Sequence, residues 1–213
     1  SNHMTDIRKT ACVIGASGLV GKALVQQLLS HPGYKTVTCL VRRPLNAADY
    51  PDPEGKLQPV VIDFDVLQDY QGYFTVDHVY CALGTTIKKA GSRSAFRRVD
   101  FEFIHVCAQL ARAQRARGFV WVSSVGADKH SKNFYLKVKG ELESSIMSMP
   151  QLEHAVAVKP SLLIGQRNEY RRLEQWGIVL ANALSFCFIG PLAKYKPVHA
   201  TTVAAQMIKL QPL

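Results

Sequence analysis

Tyr135 and Lys139 stand four residues apart in a Y-x-x-x-K pattern, an arrangement that can move a proton. On a helix that spacing puts both side chains on one face. A phenol alone, with a pKa of about 10, is a poor proton donor or acceptor at neutral pH. An ammonium beside it favours the phenolate and lowers that pKa. The phenol can then give a proton to an oxygen, or take one from it. Upstream, Ser123 and Ser124 close the apolar run Phe119 to Val122, and a hydroxyl there would hold the substrate oxygen. Both serines follow directly on that run, so either Ser124 or Ser123 could serve. A turn or helix cap is the plain structural alternative for either serine. Y-x-x-x-K by itself is a common pattern, so its weight depends on what surrounds it.

The second chemical signal lies near the start, in Val13-Ile14-Gly15-Ala16-Ser17-Gly18-Leu19-Val20-Gly21. Glycine permits a sharp strand-to-helix turn and lets a ligand approach the backbone. The free amides at the helix start, with the positive end of its dipole, suit a pyrophosphate. Gly15, Ser17, Gly18, Leu19 and Val20 are the residues expected to hold it, and Gly21 would allow close helix–strand packing. The first gap is one residue longer than in G-x-G-x-x-G. An acidic residue after the next strand would select a ribose 2′-hydroxyl. The chain has Arg42 and Arg43 there instead, two guanidiniums suited to a 2′-phosphate and to stacking on adenine. NADP(H) is therefore expected rather than NAD. Two solvated arginines are the bland alternative.

These groups need a scaffold. Short apolar runs at Thr10–Ile14, Lys35–Val41, Gln58–Ile62, His78–Leu83, Phe119–Val122 and His154–Val158 read as buried strands. Helical patterns alternate with them: Val20 to Leu29, Ser94 to Arg117 with Phe103, Cys107 and Leu110 inward, and Phe134 to Met149. The alternation predicts an α/β fold, a doubly wound parallel sheet of Rossmann type covered on both faces. From Leu162 the alternation fades into two apolar helical segments, around Trp176–Phe186 and Thr202–Leu210. Residues 5–213 thus read as one NAD(P)-binding domain, with 162–213 a small helical, substrate-side subregion that is not independent. Trp176, Phe186 and Phe188 suggest a non-polar ligand. His199, placed before the last helix, reads as structural.

Composition narrows the class. Apolar residues make up 47% and charged residues 20%, enough to bury a substantial core without disulfides or metal. Five scattered cysteines without a C-x-x-C pair fit a reducing cytoplasm, and no metal site is expected. No run approaches the roughly 18 apolar residues of a membrane span. Ser1 to Met4 reads as a remnant of expression, and no signal peptide is evident. The net charge of +10 would attract anions, either nucleic acid or a phosphorylated small molecule. No recognition-helix or aromatic-rich basic repeat supports nucleic acid. Solvated helix faces account for Arg112, Arg115 and Arg117, and a solvated helix start for the cluster Lys88, Lys89, Arg93, Arg97 and Arg98.

The segments GASGLVG, VRRP, VIDFD, CALGTT, VSSVGAD and YLKVKGELE occur together and in this order. In this the chain resembles the atypical short-chain dehydrogenase/reductases. It is similar to the subgroup that holds a vertebrate Tat-interacting tumour suppressor and its bacterial NAD(P)-binding relatives. The resemblance spans residues 9–165. It implies that Asp63 and Phe64 lie near the adenine, and Leu83, Gly84 and Thr85 along the ribose and pyrophosphate. Pro160 and Ser161 would lie near the nicotinamide. Ser123 counts among the cofactor contacts, and Ser124, Tyr135 and Lys139 as the catalytic set. Asp100 would fix a loop. Lys159 departs from the arginine common in relatives. The implied activity is hydride transfer between NADP(H) and a carbonyl or alcohol of a small molecule. A redox-sensing protein that binds NADP(H) and signals to a protein partner is the rival. Helices bearing Phe103 and Tyr135 often dimerise in this superfamily, so a homodimer is a further expectation.

Overall fold

The computed structural model describes residues 5–160 and 196–212. Six parallel strands form one sheet: β1 (Lys9–Ile14), β2 (Tyr34–Val41), β3 (Leu57–Val61), β4 (His78–Cys81), β5 (Gly118–Val122) and β6 (Ala155–Val158). Their order is β3-β2-β1-β4-β5-β6. Among the described residues the α-helices are α1 (Leu19–Ser30), α2 (Ile87–Ala90), α3 (Arg93–Arg97), α4 (Ile104–Ala113), α5 (Phe134–Met147) and α6 (Lys196–Leu210).

Period-two alternation on strands buried on both faces creates two cores. Along β1, Ala11 and Val13 enter one core while Cys12 and Ile14 enter the other. Leu24, Val25 and Leu28 of α1, with Val203, Ala204 and Met207 of α6, cover the first. Ile104, Cys107 and Ala111 of α4, with Leu142 and Ile146 of α5, cover the second. This is the doubly wound Rossmann-type architecture. Strand order reverses direction between β1 and β4, where such sheets open a ligand crevice beyond the strand ends.

Several boundaries differ from the sequence reading. β4 ends at Cys81 rather than Leu83. The helix expected over Ser94 to Arg117 is α3, a π-helical stretch at Arg98–Phe103, and then α4. It stops at Ala113 because Arg115 takes left-handed backbone, φ 58°. Phe64–Phe74, kinked at Val66 and Tyr70, forms a 3₁₀ segment that buries Phe64, Leu67 and Phe74. Its irregular spacing hid it. α6 starts at Lys196, so His199 lies inside the helix rather than before it. Trp176, Phe186 and Phe188 lie outside the described residues.

A buried polar chain ties the tail to the sheet. His78 Nε2 faces the Pro212 carbonyl at 2.7 Å, so this nitrogen carries the proton. In the neutral ring, Nδ1 then accepts from Tyr34 Oη at 2.7 Å, and Tyr34 accepts from Tyr80 Oη at 2.6 Å. Burial lowers the His78 pKa, partly offset by the Pro212 carbonyl and Asp77. The folded state therefore favours the neutral ring. Its contribution is complete above the unfolded value of about 6.5 and fades as pH falls below it. The urea midpoint should drop between pH 7.5 and 5.5, and His78→Gln should flatten that drop. An unchanged drop in the variant would assign it to other groups.

Candidate functional site

The glycine turn sits at the β1–β4 switch point. Gly15 has φ 88°, and a Cβ there would meet Ala82 C at 2.6 Å and Leu83 N at 2.7 Å. A Cβ on Gly21 would lie 1.8 Å from Gly15 O. Both glycines are thus required by the protein itself, one for its backbone angle and one for close packing. Gly18 is different. Its φ is −72°, and a Cβ would find only Gly15 O, at 3.6 Å. The position is exposed. Gly18 is the N-cap of α1 with no side-chain cap, and no acidic residue occupies the first turn. Ser17, Gly18 and Leu19 are exposed and Val20 is buried. This donor set fits a pyrophosphate: amides and a helix dipole with no competing carboxylate.

Arg42 and Arg43 follow β2, exposed, and neither forms an ion pair among the described residues. After β3, Asp63 accepts the Asp65 N–H at 2.9 Å, and Phe64 packs on Phe103 with ring centres 5.6 Å apart. Leu83, Gly84 and Thr85 lead out of β4 beside the turn. The basic cluster is largely engaged: Arg93 stacks over Phe134 and Arg97 over Phe101. Arg97 also reaches Glu141 at 3.8 Å, and Arg98 pairs with Asp65. Lys88 and Lys89 are exposed on α2.

Asn133 caps α5 by accepting the Leu136 N–H at 3.1 Å, which sets Tyr135 in the first turn and Lys139 in the next. Tyr135 is half-buried, its ring 5.3 Å from that of Phe96. The Lys139 ammonium lies 5.7 Å from the centre of the Tyr135 ring. It also pairs with Asp100 Oδ1 at 2.7 Å, both side chains almost wholly shielded from water. The other oxygen, Asp100 Oδ2, accepts the Thr85 N–H at 3.0 Å. Burial raises the Asp100 pKa, while the Lys139 ammonium and the Thr85 N–H act against it. Asp100 lies in the π-helical stretch, and such insertions recur at functional sites.

Ser123 Oγ donates to Glu143 Oε1 at 2.7 Å, and Glu143 Oε2 faces Lys159 Nζ at 3.4 Å. The Ser124 hydroxyl donates to the neighbouring Val125 carbonyl at 3.2 Å. Ser123 thus has a fixed acceptor in the protein, and Ser124 only a local one. Sequence reasoning missed Glu143, although it continues the Tyr135–Lys139 face one turn further. It saw Asp100 only as a loop anchor. Pro160 is buried after β6, and Ser161 lies outside the described residues. Among the described residues no group of three or more His, Cys, Asp or Glu could hold a metal, and no helix is long and apolar enough to cross a membrane.

Residues 15–159 match the family model described as NAD(P)H-binding. Protein HTATIP2 of Rattus norvegicus is 35% identical over 164 residues, which are 76% of this chain and 66% of the rat protein. The mitochondrial protein FMP52 of Candida albicans is 32% identical over 162 residues, 74% of this chain and 68% of that one. Among solved structures, the ADP-L-glycero-D-manno-heptose-6-epimerase of Helicobacter pylori aligns with a TM-score of 0.59 at 14% identity, covering 72% of this chain and 55% of that one. MoeE5 in complex with UDP-glucose and NAD gives 0.57 at 17%, covering 70% and 53%. At these identities the structures speak to fold. The chain spans under two thirds of the rat protein and little more than half of each of these two solved structures.

Proposed function

The chain belongs to the NAD(P)H-binding family, and on that premise we propose that it binds NADPH and reduces a small-molecule carbonyl, or runs the reverse oxidation. The observation that carries this reading is the Lys139 ammonium, buried between Tyr135 and the loop at Thr85. Gly15, Ser17, Gly18, Leu19 and Val20 would hold the pyrophosphate through backbone amides, and Arg42 and Arg43 the 2′-phosphate. Asp63 and Phe64 would border the adenine, and Leu83, Gly84 and Thr85 the ribose. Ser123, Pro160 and Ser161 would border the nicotinamide. The bound nicotinamide supplies or accepts the hydride. Ser124 orients the substrate oxygen, Tyr135 gives it a proton or takes one, and Lys139 favours the phenolate. Residues from Leu162 onward would shape the substrate side, a role that falls mostly on residues outside the described ones. The cytoplasmic setting is also a proposal. The described cysteines are free and buried, which supports a reducing compartment, whereas the fungal relatives carry a mitochondrial label.

The second reading is an NADP(H)-binding sensor that signals to a protein partner without turnover. It is favoured by the Asp100 carboxylate, which offsets the Lys139 charge that Tyr135 would otherwise feel. Titration with NADPH and NADH tests the cofactor. NADPH should bind more tightly, and Arg42→Ala with Arg43→Ala should weaken it about 10–100-fold while leaving NADH nearly unchanged. Equal affinity for the two nucleotides would end the NADPH assignment. Tyr135→Phe separates enzyme from sensor: it should abolish an enzyme's carbonyl reduction and leave a sensor's binding to its protein partner intact.

A further inference from the structure

Arg115 and Arg117 are solvent-exposed and Arg112 half-buried, but only Arg112 lies on the helix. Because α4 ends at Ala113, Arg115 and Arg117 lie beyond it, and all three converge on one concavity of about 620 Å³. Gln151 and Glu153 complete the polar lining. The concavity sits where the chain enters β5 and β6, at the end of the parallel sheet opposite the glycine turn. We propose that it is an anion site, separate from the nucleotide crevice, for a small molecule carrying a phosphate group.

Backbone geometry points the same way as charge. Arg115 (φ 58°) and Gln151 (φ 64°) are the non-glycine residues with left-handed backbone among the described ones, and both line this concavity. Arg115 occupies the position after a helix end where glycine removes the Cβ strain. An arginine held there is unfavourable for the bare fold, as when local strain serves a site. Arg112 and Arg115 form no ion pair among the described residues, and Arg117 Nε reaches Asp77 Oδ1 only at 3.6 Å. Glu153 and the C-terminal carbonyls of α4 oppose an anion. Three guanidiniums against two carboxylates, Glu153 in the lining and Asp77 beside Arg117, still leave a net positive charge, strengthened by the concave wall. A phosphate offers three acceptor oxygens to several guanidinium forks, a better match than one carboxylate.

The test is thermal unfolding in inorganic phosphate, with chloride at equal ionic strength as the reference. Phosphate at about ten times its Kd should raise Tm by about 3–5 °C over chloride. Arg115→Gly should raise the Tm of the phosphate-free protein by about 2–4 °C, by relieving the strain, and should abolish the part of the phosphate response that persists with Arg42→Gln and Arg43→Gln. Arg112→Gln should abolish the same part without that rise. The response should survive Arg42→Gln with Arg43→Gln. Equal effects of phosphate and chloride, or a response intact in Arg115→Gly, would overturn the proposal. So would a response lost in the Arg42/Arg43 variant, which would place the ion at the nucleotide crevice. None of these outcomes depends on NADP(H) binding or turnover.

Discussion

Lys139→Met is expected to cost about 3–5 kcal/mol, because it strands the buried Asp100 carboxylate without its counter-charge. Against a total stability on the order of 5–15 kcal/mol, that loss would leave the protein marginal. Asp100→Asn should cost less than this. Asparagine can still accept the Thr85 N–H, yet it leaves an ammonium shielded from water. The double variant removes both charges together and should recover most of the loss, since a neutral pair of similar volume is often as stable as a buried ion pair. Urea unfolding of the four proteins gives the coupling directly. Additive losses in the double variant would show that the two groups act separately. The same double variant should still lack the proton-transfer activity proposed for Tyr135, so stability and chemistry can be read apart.

The second large effect contrasts two glycines three residues apart. Gly21→Ala would drive a Cβ to 1.8 Å from Gly15 O, a backbone atom that cannot swing away. The turn itself would have to move, and a loss above about 4 kcal/mol, or failure to fold, is expected. Gly18→Ala meets nothing closer than 3.6 Å and keeps an ordinary backbone angle. Its stability cost should stay near 1 kcal/mol, the scale of a weakened N-cap. In the cofactor reading, however, its methyl fills the space through which phosphate approaches the amides of α1. NADPH affinity should then fall about 10–100-fold, equivalent to about 1.4–2.8 kcal/mol. A folded Gly18→Ala protein that binds NADPH as before would remove the turn from the cofactor site. The pair therefore separates a glycine needed by the fold from one whose side-chain space the fold leaves empty.

What could be read in the sequence follows from local periodicity. Short, continuously apolar runs marked the strands, and strands alternating with helices implied the parallel sheet. The observed order places β1 beside β4, which makes the glycine turn face Ala82 and Leu83. Tyr135 and Lys139 were legible because their relation is set within one helix turn. The 3₁₀ segment Phe64–Phe74 and the left-handed stop at Arg115 were not. Neither has a repeating signature, and Arg115 carries none of the glycine that usually marks such a stop.

The amino-acid sequence alone thus determined the fold class, the glycine turn and the tyrosine–lysine spacing, because each depends on neighbours along the chain. Only the tertiary structure decided what those groups meet. The sheet order and the π-helical stretch carry Asp100 to Lys139 and Thr85, and Ser123 meets Glu143 across the gap between β5 and α5. The links before β5 and β6 bring three arginines into one concavity. Such meetings depend on strand order and on local departures from helix geometry, and neither leaves a fixed spacing in the chain.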